Sequence, residues 1–153
     1  MGASRHTDEG TVLAFDFGTR KIGVAVGNTV VGVAHPLTTI VGEARAARLE
    51  AIQALIAEWK PETLVVGRPL HADGSEHEMT ARAERFARAL ESNFGLPVAR
   101  VDERFSTRAA DADLREAGVR GASRKAARDA VAAQVILQAW LDEHTKDDNR
   151  GAP

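Results

Sequence analysis

A mixed α/β fold is predicted: a five-stranded mixed sheet, three antiparallel strands first and then parallel ones, flanked by helices. Three observations carry it. Apolar runs at 11–16, 22–27 and about 32–41 follow one another across short polar turns, the rhythm of an antiparallel meander. From residue 44 onward helical spacing alternates with short apolar runs, which implies strands joined by right-handed crossovers and therefore parallel. At 153 residues, with 44% apolar and 27% charged side chains, the chain suits one domain that buries about 70% of its unfolded surface.

The first two strands, TVLAFD and IGVAVG, are rich in Val, Ile, Leu and Phe, and Gly18 lets the turn at 17–21 bend without steric cost. Pro36 places the third strand near an edge or a bulge. Over 44–59, Ala47, Ile52, Leu55, Ile56 and Trp59 fall largely on one side of a helix that Pro61 ends. TLVVG (63–67) reads as the fourth strand, followed by a loop with turn chemistry at Asp73-Gly74. Ser75 is expected to cap a helix over about 76–92, with Glu78 completing a capping box, and Gly95 and Pro97 stop it. PVARV (97–101) is the fifth strand. Ser106 or Thr107 caps a helix over 107–117 that stops at Gly118, and the last helix spans 123 to about 144. The organisation expected is a flexible segment over 1–10, one domain over 11–144, and a polar, frayed tail over 145–153.

Composition narrows the chemistry. The sequence has no cysteine, which excludes disulfides, thiolate zinc sites and cysteine nucleophiles. Any metal must bind through oxygen or histidine, which points to magnesium or manganese. The five histidines include no pair with metal-ligand spacing. The first ten residues are polar, unlike a signal peptide, and no apolar run approaches the roughly 20 residues that span a bilayer, so a cytoplasmic protein without a membrane partner is expected. The net charge of −2 argues against a general polyanion binder. Of the 20 basic residues, however, 16 are arginine, and 115–128 holds Arg115, Arg120, Arg124, Lys125 and Arg128 against Glu116 alone. Guanidinium forks match phosphate oxygens, so such a patch suits nucleic acid as readily as a wet surface.

Three carboxylates stand at the ends of apolar elements. Asp16 closes the first strand, before a turn carrying Arg20 and Lys21. Gly18, Thr19 and Gly23 keep the surroundings small enough for a phosphate or sugar to approach. The competing reading is an aspartate that hydrogen-bonds its own turn. Asp102 and Glu103 follow the fifth strand, and alternation lets only one of them face a site shared with Asp16; spacing does not choose between them. Asp129 shares a helix face with Ala132, Ala133, Ile136 and Trp140, which places it on the packing side. Burial there demands a partner or a metal, and the alternatives are the helix dipole or a pair with Lys125. Carboxylates dispersed along the chain and convergent in space are what divalent cations need when held against a phosphodiester.

Four segments, DFGTRKIGVAV (16–26), VVGRPLHADGSE (65–76), DERFSTRAA (102–110) and KAARDAVAAQVILQAWL (125–141), resemble in order and spacing the YqgF/RuvX family of Holliday-junction-resolvase-like, pre-16S rRNA nucleases. The resemblance covers about residues 11–141. It implies a ribonuclease H-like fold and a metal-binding catalytic trio of Asp16, Glu103 and Asp129, and so selects Glu103 over Asp102 by analogy. Arg20-Lys21 reverses the usual basic pair, Arg68 stands where an apolar residue is common, and Trp140 replaces a tyrosine; none touches the trio.

The expected activity is phosphodiester hydrolysis with two Mg2+ or Mn2+ ions, Asp16 bridging them and Glu103 and Asp129 each holding one. Arg20, Lys21, Arg104, Arg124 and Lys125 would position phosphates. The resemblance favours 5′-end processing of precursor 16S rRNA by a monomer or homodimer, with a structure-selective DNA endonuclease acting on branched DNA next and a non-catalytic nucleic-acid-binding module third. A sugar-kinase-like ATPase would need a second domain and a second phosphate hairpin, and neither is visible in 153 residues.

Overall fold

The computed structural model describes residues 10–71 and 73–103, and the backbone of 121–151 with its side chains over 129–144. One sheet contains β1 (Thr11–Phe17), β2 (Lys21–Asn28), β3 (Ala34–Val41), β4 (Thr63–Arg68) and β5 (Val98–Asp102), in the order β3-β2-β1-β4-β5. β2 runs antiparallel to both β1 and β3, while β4 is parallel to β1 and β5 to β4. The predicted meander and the later parallel strands are both present. The helices are α1 (Arg45–Trp59), α2 (Glu78–Phe94) and α3 (Gly121–Gly151). The helix expected over 107–117 lies outside the described residues.

Period-two alternation divides the core into two layers. Leu13 and Phe15 of β1, Ile22 and Val24 of β2, and Leu64 and Val66 of β4 pack with Ile52 of α1 and Phe86, Ala87 and Leu90 of α2. Val12, Ala14, Ala25 and Val65 face the other way and pack with Ala133, Ile136, Leu137 and Leu141 of α3. Since β1 and β4 are covered on both faces, their runs are continuously apolar. β2 alternates small residues toward α3 (Gly23, Ala25, Gly27) with larger ones toward α1 and α2 (Ile22, Val24, Val26). A Cβ on Gly27 would stand 2.9 Å from Leu141 Cδ1, so the glycine lets α3 lie close.

Local chemistry differs from the sequence expectation at a few points. Pro36 satisfies both expectations for it: β3 is an edge strand, and the register shifts opposite Val24/Ala25, between Thr38 and Pro36. On α1, Ala47 is exposed and Arg48 is buried. The guanidinium accounts for this, since Nε donates to Gly42 O and Nη2 to Thr19 O, each at 2.7 Å. Ser75 does not cap α2. Its backbone N–H and hydroxyl both donate to Asp73 Oδ1, which commits it to the preceding turn. The cap moves to His77, whose Nδ1 accepts from Met79 N while Thr80 Oγ1 accepts from His77 N. Gly95, at φ 66°, ends α2 as expected. α3 begins at Gly121 and continues to Gly151. Two of its glutamines hold the start of β3, with Gln138 accepting from Ala34 N and Gln134 donating to Ala34 O.

Candidate active site

Asp16 lies in line with Val12 and Ala14 and so faces α3. In the β1–β2 ladder it is paired with Gly23. On its other side the β1–β4 register ends at Phe15↔Val66, and one step further places Gly67 beside Asp16. Asp16 therefore stands between two glycines across three adjacent strands.

Each glycine makes room for one of the other carboxylate residues. A Cβ on Gly23 would collide with the carbonyl of Asp129, so the start of the described part of α3 rests directly on β2 at that point. A Cβ on Gly67 would strike Glu103 Oε2 and come within 2.5 Å of Ile136 Cδ1. The small residues that looked open to a phosphate or sugar are thus filled, at Gly23, by the helix backbone. The useful sequence signal was the small-large alternation of GVAVG (23–27), a docking surface for a close helix.

Alternation also separates Asp102 from Glu103. Ala99 and Val101 of β5 pack into the α3-side core and Val98 into the other, so Glu103 follows Val101 toward α3 while Asp102 points away. The Glu103 N–H bonds Arg68 O at 3.2 Å, which keeps the chain in register one residue beyond the strand. Glu103 then hydrogen-bonds Asp16 side chain to side chain.

The electrostatics show how these groups coexist. Asp16 and Glu103 are half-buried as whole residues, but their carboxyl groups are withdrawn from water. Desolvation is the largest cause pushing Asp16 up to about 6, opposed by the hydrogen bond from Glu103 and reinforced by the charge of Asp129. Desolvation, then the Asp16 charge and the shared hydrogen bond, push Glu103 up to about 8. Burial thus holds both carboxyls above the ordinary carboxylate range, and the hydrogen bond between them couples their titration. Asp129 Oδ2 is buried with no hydrogen-bond partner among the described residues.

A buried carboxylate oxygen without a donor among the described residues, together with two hydrogen-bonded carboxyls withdrawn from water, is a donor set suited to a hard cation. Among the described residues no three such side chains stand as a finished coordination shell.

Of the basic residues read as phosphate contacts, Arg20 is exposed in the β1–β2 turn and Lys21 opens β2, two residues from Gly23. Arg104 and the side chains of Arg124 and Lys125 lie outside the described residues. His71 and His77 come together, with ring centroids 4.7 Å apart, but His77 Nδ1 is committed to the helix cap. The sequence reading did not single out Gly67, or Arg48, which ties the turn after Asp16 to the loop after β3.

Comparison with known proteins agrees with this architecture. The family model described as "RuvX: Holliday junction resolvase" matches residues 10–143. A protein of Dechloromonas aromatica named "Putative pre-16S rRNA nuclease" is 55% identical over 133 residues, 87% of this chain and 91% of its own. A protein of the same name from Nitrosospira multiformis is 49% identical over 134 residues, 88% of this chain and 89% of its own. Among solved structures, T. thermophilus RuvC in complex with a Holliday junction substrate superposes with a TM-score of 0.55 at 18% identity, covering 88% of this chain and 96% of that one. The Fowlpox virus resolvase bound to Holliday junction DNA gives 0.56 at 7% identity, covering 87% and 97%. Such structural likeness, at these identities, speaks to the fold alone, the ribonuclease H-like mixed sheet. With the family model spanning most of its length and relatives half identical to it, this chain belongs to the RuvX family of Holliday-junction-resolvase-like proteins.

Proposed function

We propose that this chain is a metal-dependent nuclease that processes the 5′ end of precursor 16S rRNA in the cytoplasm, with residues 11–144 as its single nuclease domain. The observation that carries the reading is the hydrogen-bonded Asp16–Glu103 carboxyl pair, withdrawn from water, together with the buried Asp129 Oδ2 that has no partner among the described residues. The names of the half-identical relatives support the substrate class.

Asp16, Glu103 and Asp129 are the residues that would hold the divalent cation or cations. Divalent ions bound there, Mg2+ or Mn2+, polarise a phosphodiester and lower the pKa of an attacking water. The protein's own part is to fix three carboxylates on rigid elements, strand, strand end and helix. Arg20 and Lys21, in the turn beside Asp16, hold flanking phosphates together with Arg104, Arg124 and Lys125.

The deciding experiment compares wild-type protein with Asp16→Asn on precursor 16S rRNA and on a four-way DNA junction, at matched magnesium and salt. The wild type is expected to cut the RNA and the variant to lose cutting by several orders of magnitude with its melting curve retained. Undiminished cleavage by the pure variant would refute the assignment. Preferential cutting of the junction would favour the second reading, a DNA resolvase, which the description of the matching family model supports.

A further inference from the structure

On the face of the sheet opposite the carboxylates, α1 and α2 enclose an open cavity of about 370 Å³. Its floor includes Phe17, the residue after Asp16, and its walls carry Arg45, Arg48, Arg82 and Arg85 against one lining carboxylate, Glu43. Arg48 is only 7% exposed. It bonds two backbone carbonyls and lies 5.5 Å over the Phe17 ring, yet no carboxylate lies within salt-bridge distance among the described residues. Arg82 is held by Glu78 at 3.0 Å. Arg45 and Arg85 are exposed and have no ion-pair partner among the described residues.

A buried guanidinium is costly, and the Glu43 charge offsets that cost only from beyond salt-bridge distance. Four cations around one cavity repel one another unless an anion enters, and arginine forks match phosphate oxygens. The place of the cavity indicates which phosphate. Arg48 binds the carbonyl of Thr19 in the β1–β2 turn, and that turn, with Arg20 and Lys21, joins the carboxylate face to the cavity face. A strand engaged at Asp16 meets positive charge over the turn and then the arginines. We infer that this groove is a second phosphate-binding site, which takes the backbone of the nucleic-acid strand leaving the catalytic carboxylates. The inference rests on the nuclease reading for its choice of ligand.

The test uses Arg45→Gln/Arg85→Gln, two exposed positions whose change leaves the fold intact, in the full chain. Binding of a labelled single-stranded RNA is measured in chelator across a salt series, beside wild type and Asp16→Asn. Losing two phosphate contacts should reduce the slope of log K against log salt by about 1.4, about 0.7 for each contact on a single strand. A dinucleotide, too short to leave the catalytic face, should bind the double variant and wild type alike. Asp16→Asn should keep the full slope while losing cleavage, so failure of the catalytic reading and failure of the groove remain distinct. An unchanged slope in the double variant overturns the inference. So does an unchanged slope joined to lost binding of inorganic pyrophosphate, which would make the cavity a small-anion site.

Discussion

At the scale of single residues, the carboxyl pair makes a prediction about pH. Glu103 moves from an ordinary 4.5 to about 8 and Asp16 from 3.8 to about 6 in the folded chain. Raised folded values mean that the native state holds protons the unfolded state releases. The associated stability is fully present below pH about 4 and is lost as pH climbs toward about 8. In chelator the melting temperature should therefore fall across this window, and Glu103→Gln, which cannot ionise, should show a flatter profile. Equal slopes for the two proteins would contradict a Glu103 carboxyl raised by burial. Gly67 provides a second test, because a Cβ there pushes directly on Glu103 Oε2. Gly67→Ala should weaken manganese binding by roughly 10–100-fold, the usual effect of disturbing a ligand's support, with calorimetry as the readout.

At the scale of elements, the site depends on how closely α3 rests on β2. Gly23 and Gly27 permit the approach, and the Gln134 and Gln138 bonds to β3 fix the helix laterally. Gly23→Ala forces the Asp129 carbonyl away from the strand. The expected cost is about 1–3 kcal/mol, typical of overpacking, together with reduced cleavage because Asp129 moves with the helix. Denaturant unfolding measures the first and the nuclease assay the second. The start of α2 offers a contrast on an element that carries none of the three carboxylates. Thr80 receives the His77 N–H and donates to Pro69 O, so Thr80→Ala should cost about 1 kcal/mol for the lost cap and leave the manganese affinity unchanged.

For the whole molecule, a cation held by the proposed carboxylates would be linked to folding. A ligand that binds only the native state at a hundred times its Kd adds about 2.7 kcal/mol, which for a chain of this size raises Tm by roughly 5–10 °C. Manganese should produce that shift in wild type and lose it in Asp16→Asn, and a scanning melt with and without the ion decides. Among the described residues no helix is long and apolar enough to cross a membrane. The basic charge that would meet a polyanion is divided between the turn at Arg20 and Lys21 and the α1–α2 groove, so the net charge of −2 is a poor guide to where nucleic acid would lie.

Strand number, the meander followed by crossovers, the bulge at Pro36 and the glycine stop of α2 were all legible in the sequence, because each follows from period, backbone freedom or proline geometry within a short window. The sequence also marked the candidate carboxylates, as acids at the ends of apolar runs, Asp16 closing one and Asp129 opening another. What the sequence left open was the choice between Asp102 and Glu103 and the purpose of the glycines, since both depend on which face of each strand meets which helix. Ser75 and Ala47 misled for a related reason: Asp73 claims the serine, and distant backbone carbonyls draw in Arg48 where alanine was expected. Local chemistry determined the elements of this protein. Only the packing of α3 onto the small residues of β2 decided that Gly23 and Asp129 would touch, because contact between residues more than a hundred positions apart is a property of the folded surface and not of any window along the chain.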